Sequence, residues 1–253
     1  MFLLAQNYDP NMDPTGWWMS EKLDGIRAMW DGQRVISRNG NQFAAPPWFV
    51  ENFPPFKLDG ELWLGRGQFD ETSSIVRSSM DKGWNRIRFM MFDIPEARAG
   101  LFEERQAILH ELVKTRKFHN AIVVPQSRCL SKPYFDKALD LAIAAGAEGL
   151  MLRKPKSLYI GKRSATLLKA KRMHDAEAVV VGHQPGEGKF TSMMGALECL
   201  TDRGVAFRVG TGFTDAQRTN PPPIKSVITF RYQELSKDGV PRFPAFVRIK
   251  VLE

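Results

Sequence analysis

Apolar and polar positions alternate over short runs along most of this chain and recur at helical spacing in only a few places. Ile26-Arg27-Ala28-Met29-Trp30 and Arg34-Val35-Ile36-Ser37 flank Asp31-Gly32, a pair that favours a tight turn, so the stretch predicts a β-hairpin. Lys57 to Trp63 predicts a turn and a strand, with Asp59-Gly60 as the turn residues. Arg86 to Ile94 predicts a strand stopped by Pro95. Gly67 to Ser79, bounded by Gly65 and Gly83, predicts a helix around Ile75-Val76. Leu101, Ile108, Leu109, Leu112 and Val113 lie near helical spacing with charge opposite, which predicts an amphipathic helix ending by Phe118. Ile122-Val123-Val124 predicts a short buried strand. Pro133 suits the first turn of a helix that runs to Ala145 and is closed by Gly146. Glu148 to Arg153 and Thr166 to Lys171 predict two more strands. The opening, through Trp18, is rich in Asn, Asp and Pro and predicts irregular structure, with Trp17 and Trp18 packed under the segment that follows.

The texture changes near Arg172-Met173-His174-Asp175. Beyond it come short β-rich runs at Ala178 to Gly182, Gly195 to Leu200, Val205 to Val209, Ser226 to Tyr232 and Pro244 to Val251. Gly and Pro turns separate them, as in a small barrel. The division expected is therefore an α+β domain over residues 1–174 and a β-barrel over residues 175–253. No internal repeat or low-complexity tail cuts across it.

Composition adds a partner class. The formal charge is +8 with a pI near 9.6, which favours an anionic partner and above all nucleic acid. Through His174 there are 26 Lys+Arg against 19 Asp+Glu, and afterwards 10 against 9, so the excess sits in the first domain. No apolar run approaches a membrane span, and Met1-Phe2-Leu3-Leu4-Ala5 carries no basic leader. Cys129 and Cys199 are far apart without metal spacing and predict two buried free thiols. His110, His119, His174 and His183 also lack ligand spacing, so no zinc site is expected. Gly182 to Lys189 imitates a phosphate-binding loop, but its glycine spacing is wrong and Phe190 stands where Ser or Thr would bind magnesium.

The chemistry gathers on Glu21-Lys22-Leu23-Asp24-Gly25-Ile26-Arg27. A lysine amine attacks phosphorus only when neutral, and at an ordinary pKa of ~10.4 fewer than about one in a thousand is neutral at pH 7. A nucleophilic lysine therefore needs neighbouring cations or desolvation. Lys169 and Lys171, two apart on a strand, share one face and can reach one phosphate. Asp24 offers a carboxylate for a hydroxyl or metal, and Arg27 a fork for phosphate or ribose. Taken singly, each of these has a plain structural reading: a solvated lysine, a turn arginine, a core phenylalanine at Phe92.

Together and in order they say more. K-x-D-G-x-R at Lys22–Arg27, S-R-x-G at Ser37–Gly40, D-G-E-L at Asp59–Leu62, F-D-I at Phe92–Ile94, E-G-x-x-x-R at Glu148–Arg153 and K-x-K at Lys169–Lys171 resemble the signatures of the covalent nucleotidyltransferases. These are the DNA ligases, RNA ligases and mRNA-capping guanylyltransferases. The second domain adds Gly186–Phe190, Met194–Leu197, Val209–Phe213 and Pro241–Pro244, similar to the OB domain of ATP-dependent DNA ligases, most closely the minimal bacterial Lig E type. The resemblance covers nearly the whole chain. It departs at the end, where the last basic signature of larger ligases has no clean counterpart and Arg242, Arg248 and Lys250 are the candidates for pyrophosphate contact.

The resemblance implies a nucleotidyltransferase (adenylation) domain of antiparallel sheets with flanking helices, followed by an OB domain. It implies that Lys22 attacks ATP and carries AMP covalently, that AMP passes to the 5′-phosphate of a nick, and that the 3′-hydroxyl then closes the strand. Lys22, Asp24 and Lys171 are its catalytic residues. Glu21, Lys22, Arg27, Glu61, Phe92, Glu148, Lys169 and Lys171 bind the nucleotide, with Phe92 stacked on the purine. Glu148 and Glu61 hold Mg²⁺, for which Mn²⁺ can substitute. Arg38, Arg66, Arg77 and Lys189 touch DNA. The implied partners are ATP and nicked duplex DNA, with no membrane and a monomeric enzyme. By analogy the compartment is the periplasm if an export leader has been removed and the cytoplasm otherwise. Two rivals share parts of the pattern. An RNA ligase or capping guanylyltransferase is opposed by the ligase-like G-x-G-K-F and the missing final signature. A non-catalytic nick-binding protein is opposed by intact Lys22, Glu148 and Lys171.

Overall fold

The opening eighteen residues are more regular than their composition predicts. The computed structural model describes residues 1–78, 82–96, 99–236 and 238–250, and in it Leu4–Asn7 forms strand β1 and Trp18–Glu21 forms β2. The expected hairpin is present as β3 (Ile26–Trp30) and β4 (Val35–Ser37). Gly32 takes a φ of +105°, and the Asp31 carboxylate accepts the amides of Gln33 and Arg34 at 2.9 and 2.8 Å. That self-capped turn is what Asp-Gly chemistry favours.

After the short helix α1 (Pro47–Val50), Asp59-Gly60 departs from expectation. The pair lies inside strand β5 (Leu58–Trp63), not in a turn. Helix α2 (Phe69–Arg77) fills most of the helix predicted to end at Ser79, a residue outside those described. β6 (Arg88–Asp93), α3 (Phe102–Thr115) and β7 (Ala121–Val123) follow. β5 is the middle strand of a sheet ordered β4-β3-β5-β6-β7. Gly60 is needed there for space, because a Cβ would come within 2.8 Å of the Met90 carbonyl and the Phe89 ring.

A second sheet is built from β8 (Ser127–Arg128), β9 (Leu150–Arg153) and β10 (Arg163–Ala170) with the two opening strands, in the order β1-β10-β9-β2-β8. Helix α4 (Lys132–Ala144) starts where Ser131 accepts the amide of Tyr134 and Pro133 occupies the first turn. The sheets are not wholly antiparallel as expected: β1 runs parallel to β10, and β6 parallel to β7.

Strand alternation sorts the side chains of both sheets. Leu58 and Leu62 of β5 and Phe89 and Met91 of β6 pack with Trp84 and Leu109, leaving Asp59, Glu61 and Phe92 off that core. On the second sheet Met19, Leu150, Leu152, Leu168 and Ala170 pack on Phe135 and Leu139 of α4, leaving Ser20, Met151, Arg153, Leu167 and Lys169 on the opposite face. Trp84, Phe89, Leu109, Phe135 and Leu152 have no exposed surface. Each such side chain contributes on the order of 1.5–3 kcal/mol to holding its sheet.

The chain divides into two compact units, Met1–Lys171 and Arg172–Glu253. His174, which the change of texture left in the first, pairs with Tyr232 in the second. There β11 (His174–Pro185), β12 (Met194–Thr201) and β13 (Ala206–Val209) precede a short helix, α5 (Asp215–Thr219). β14 (Val227–Tyr232), β15 (Glu234–Leu235), β16 (Pro241–Arg242) and β17 (Ala245–Ile249) complete the unit, and Val251 of the last expected run lies outside the described residues. The main sheet is antiparallel, β13-β12-β11-β14-β17, and a bridge between Thr211 and Ala245 brings its two edges together. Its core is Val180, Leu197, Val209, Ile228 and Phe230. The sequence reading missed α5 although Thr214 and Gln217 form a capping box at its start. Both cysteines are buried and free, and among the described residues no helix is long and apolar enough to cross a membrane.

Candidate active site

The two sheets of the first unit face each other across a cleft of about 290 Å³. Lys22, Arg27, Glu61, Phe92, Arg153 and Lys169 line it, together with Glu21, Arg38 and Arg163. The lysine that opens the first signature sits one residue beyond the end of β2, with its amide bonded to the Gly149 carbonyl at 2.9 Å. Glu148 stands just before β9 and Lys171 just after β10, so the three charged residues meet at one end of three neighbouring strands. Glu148 bridges the lysines, one carboxylate oxygen to Lys22 and the other to Lys171. Gly149 makes this approach possible. It takes a φ of +151°, and a Cβ would run into the Ala170 carbonyl.

Lys169 lies two positions back on β10, opposite Met151. Burial, with Lys171, Lys22 and Arg163 nearby, pushes its pKa below the usual lysine range.

The facing sheet supplies the other wall. Arg27 grips Asp59 with both forks, Nε to Oδ1 at 2.8 Å and Nη2 to Oδ2 at 2.7 Å, and lies 4.4 Å over the Phe92 ring. Asp59 is fully buried and also accepts the Tyr159 hydroxyl at 2.7 Å. In register beside it, Asp93 holds two guanidinium groups, Arg105 Nε at 2.5 Å and Arg153 Nη2 at 2.8 Å. Arg153 comes from the opposite sheet, so this carboxylate ties the two walls together. Nη1 of Arg153 is buried with no hydrogen-bond partner, and burial pushes the group's pKa down. Arg153 and Asp93 stand in the sequence only as members of motifs, and Tyr159, Arg105 and Arg163 lie outside the motifs altogether. The acidic and basic types were visible, but their pairing was not.

Glu61 is the unusual acid. Burial raises its carboxyl to about 7, while Arg27 and Lys22 pull down and Asp59 and Glu148 push further up. An unfolded glutamate has already ionised in the ordinary carboxylate range, so the fold holds a proton that the unfolded chain has released. The stability contributed by this site is therefore present at low pH and lost as pH rises through about 7. Melting temperature should fall from roughly pH 4.5 to about 7, between the unfolded and folded pKa of this carboxyl, and level off above, in metal-free buffer. Glu61→Gln should flatten that fall, and an unchanged slope in the variant would locate the titration elsewhere.

The residues expected on DNA are scattered. Arg38 is exposed and borders both the cleft and an adjoining groove, which it shares with Arg77. Arg66 is engaged by the protein itself: it holds both oxygens of Glu21 at 2.8 Å and the Ala145 carbonyl at 2.9 Å. Two residues expected to contact DNA and nucleotide thus hold each other, although Glu21 still borders the cleft. Asp24 sits half-buried in the β2–β3 link. Lys189 belongs to the second unit, where its amine lies 4.5 Å over the Phe190 ring and that ring stacks on Arg218 at 4.3 Å.

Among the described residues no three His, Cys, Asp or Glu side chains gather into a metal cage. Glu148 nevertheless lies near enough to Glu61 to push its carboxyl up, and one or two carboxylates completed by substrate phosphates and water is how Mg²⁺ is commonly held. The donor set fits that shared arrangement.

Comparison with known proteins covers nearly the whole chain. Residues 4–171 match the ATP dependent DNA ligase domain, and residues 185–250 match the DNA ligase OB-like domain. A DNA ligase of Haemophilus influenzae is 37% identical over 248 residues, 98% of this chain and 91% of that protein. A DNA ligase of Archaeoglobus fulgidus is 35% identical over 90% of this chain, which spans half of that longer protein. A solved Lig E DNA ligase superposes with a TM-score of 0.93 at 42% identity over 98% of both chains. A Chlorella virus DNA ligase–adenylate shares the fold, with a TM-score of 0.60 at 24% identity over 100% of this chain and 98% of its own.

Proposed function

Because this chain belongs to the ATP-dependent DNA ligases, we propose that it seals 5′-phosphate/3′-hydroxyl nicks in duplex DNA through an AMP carried on Lys22. The observation that carries this reading is the convergence of Lys22, Lys171 and Glu148 at one end of a cleft walled by Phe92 and Lys169. In the resting geometry the Lys22 amine is hydrogen-bonded to Glu148. The amine must shed a proton before it attacks, and Glu148 is the carboxylate in reach. A nitrogen–phosphorus bond then forms at the α-phosphate of ATP and the bond to pyrophosphate breaks. Lys169 and Lys171 neutralise charge on the phosphate, since phosphoryl transfer depends on positioning and electrostatics more than on covalent help. Phe92 stacks on the purine, and the unpartnered Nη1 of Arg153, two strand positions beyond Met151, offers a donor to a ring acceptor. Magnesium held by Glu61 and Glu148 would supply further neutralisation of the phosphates. AMP next moves to the 5′-phosphate of the nick, and the 3′-hydroxyl displaces it. The enzyme acts as a monomer without an obligate protein partner.

The test follows the label. With α-labelled ATP, Mg²⁺ and no DNA, label should stay on the protein and pass to DNA once a 5′-phosphorylated nick is added. Label that never attaches to protein excludes the reading. Arg38→Ala separates the steps. Its guanidinium sits on the cleft rim and suits bidentate contact with the 5′-phosphate, while ATP is held by the lysines. The variant should adenylate normally, yet transfer AMP to the nick roughly 10- to 100-fold more slowly, as for loss of a hydrogen bond to a charged group. Single-turnover assay of pre-adenylated protein checks this. Transfer at the unmutated rate, or collapse of adenylation itself, removes Arg38 from that role.

A further inference from the structure

Tyr159 lies in the link between β9 and β10, outside every signature the chain carries, and its hydroxyl is doubly used. It donates to Asp59 Oδ2 at 2.7 Å and accepts the amide of Leu3 at 3.0 Å. Asp59 is fully buried and gives both oxygens to Arg27, whose Nη2 also reaches the Leu3 carbonyl at 3.3 Å. Three separate segments therefore meet at one carboxylate: the start of the chain, the middle strand of one sheet, and the link leading into β10 of the other. These bonds take up Nε and Nη2 of Arg27, a residue that lines the cleft. The guanidinium is held flat from the side by Phe92 at 4.4 Å and by Phe2 at 5.6 Å.

We propose that Tyr159 is a positioning residue for the nucleotide, acting through Asp59 to aim Arg27 into the cleft. The inference rests on the reading of Arg27 as a nucleotide-binding residue. A carboxylate gripped by one guanidinium alone can rock with it. A second donor from another segment pins Oδ2, and with it the plane of the arginine. Burial and the adjoining Asp59 raise the Tyr159 hydroxyl far above the usual phenol range, so it stays a donor at every working pH. Arg27 grips the nucleotide equally before and during phosphoryl transfer, so its misalignment weakens ATP binding and leaves the chemical step alone.

The experiment is the rate of label transfer from α-labelled ATP to protein, without DNA, as a function of ATP concentration. Tyr159→Phe keeps the ring and removes the hydroxyl. KM for ATP should rise on the order of tenfold at an unchanged limiting rate. Arg27→Ala should raise KM at least as much, and adding Tyr159→Phe to it should change nothing further. A merely structural tyrosine would lower the melting temperature without that coupling. An unchanged KM in Tyr159→Phe, or an effect that persists undiminished beside Arg27→Ala, overturns the proposal. If Arg27→Ala itself leaves KM unchanged, the proposal falls together with the nucleotide role of Arg27. Should Tyr159→Phe not fold, the unmutated protein still decides. The Tyr159 hydroxyl and Arg27 Nε protons should both exchange slowly by NMR, and rapid exchange of either refutes the pinned geometry.

Discussion

Lys22→Ala should leave the protein unable to take up AMP. The amine follows directly on β2, lines the cleft, and is tied to Glu148. Lys171 bonds the other oxygen of the same carboxylate, and Lys169 lines the cleft near the end of β10. In the proposed chemistry both serve as counter-charges to the phosphate rather than as nucleophiles. Intact-mass measurement after exposure to ATP and Mg²⁺ should show the AMP increment on the unmutated chain and none on the variant, and sealing of a nick should vanish with it. The fold should survive, because Lys22 is half-buried at a strand end and takes no part in either core. The variant should still bind nicked duplex. Adenylation of Lys22→Ala at any appreciable level would move the nucleophile elsewhere and dismantle the proposed chemistry.

Affinity for nicked duplex should fall steeply with salt. The cationic excess sits in the first unit, and among the described residues the groove that continues from the cleft past Arg38 and Arg77 is lined by no carboxylate. Each phosphate neutralised there releases condensed counterions, which is the free-energy source that salt removes. With roughly five phosphates contacted, raising salt from about 50 to 200 mM should weaken binding on the order of a few hundredfold. Titration of fluorescent nicked DNA at several salt concentrations gives the slope directly. A flat dependence would mean that no basic surface of this kind grips the backbone.

Much of the architecture was legible in local pattern because it is local in cause. Asp31-Gly32 turns the hairpin with its own side chain and its own positive φ, and Ser131-Lys132-Pro133 starts α4 with groups inside one helical turn. The second unit announced itself by apolar runs between Gly and Pro turns. The signatures around Lys22, Glu61, Phe92, Glu148 and Lys169 named the residues of the cleft, since alternation along a strand already decides which side chains share a face. What local pattern does not carry is which strand lies beside which. β1 has little propensity of its own and exists because β10 offers it a partner edge. Asp59-Gly60 reads as a turn and is a central strand, because only neighbours on both sides supply ladder bonds that outweigh the glycine's preference to bend. Arg66 and Glu21, 45 residues apart and expected to touch different ligands, hold each other. The bond between Lys22 and Glu148 spans 126 residues and that between Tyr159 and Asp59 spans 100. Charge pairing acts through distance in space, and the tertiary structure alone sets that distance. The sequence named most of the charged groups of the cleft; the packing of its two sheets decided which of them hold one another and which, like Arg153 Nη1, are buried without a partner.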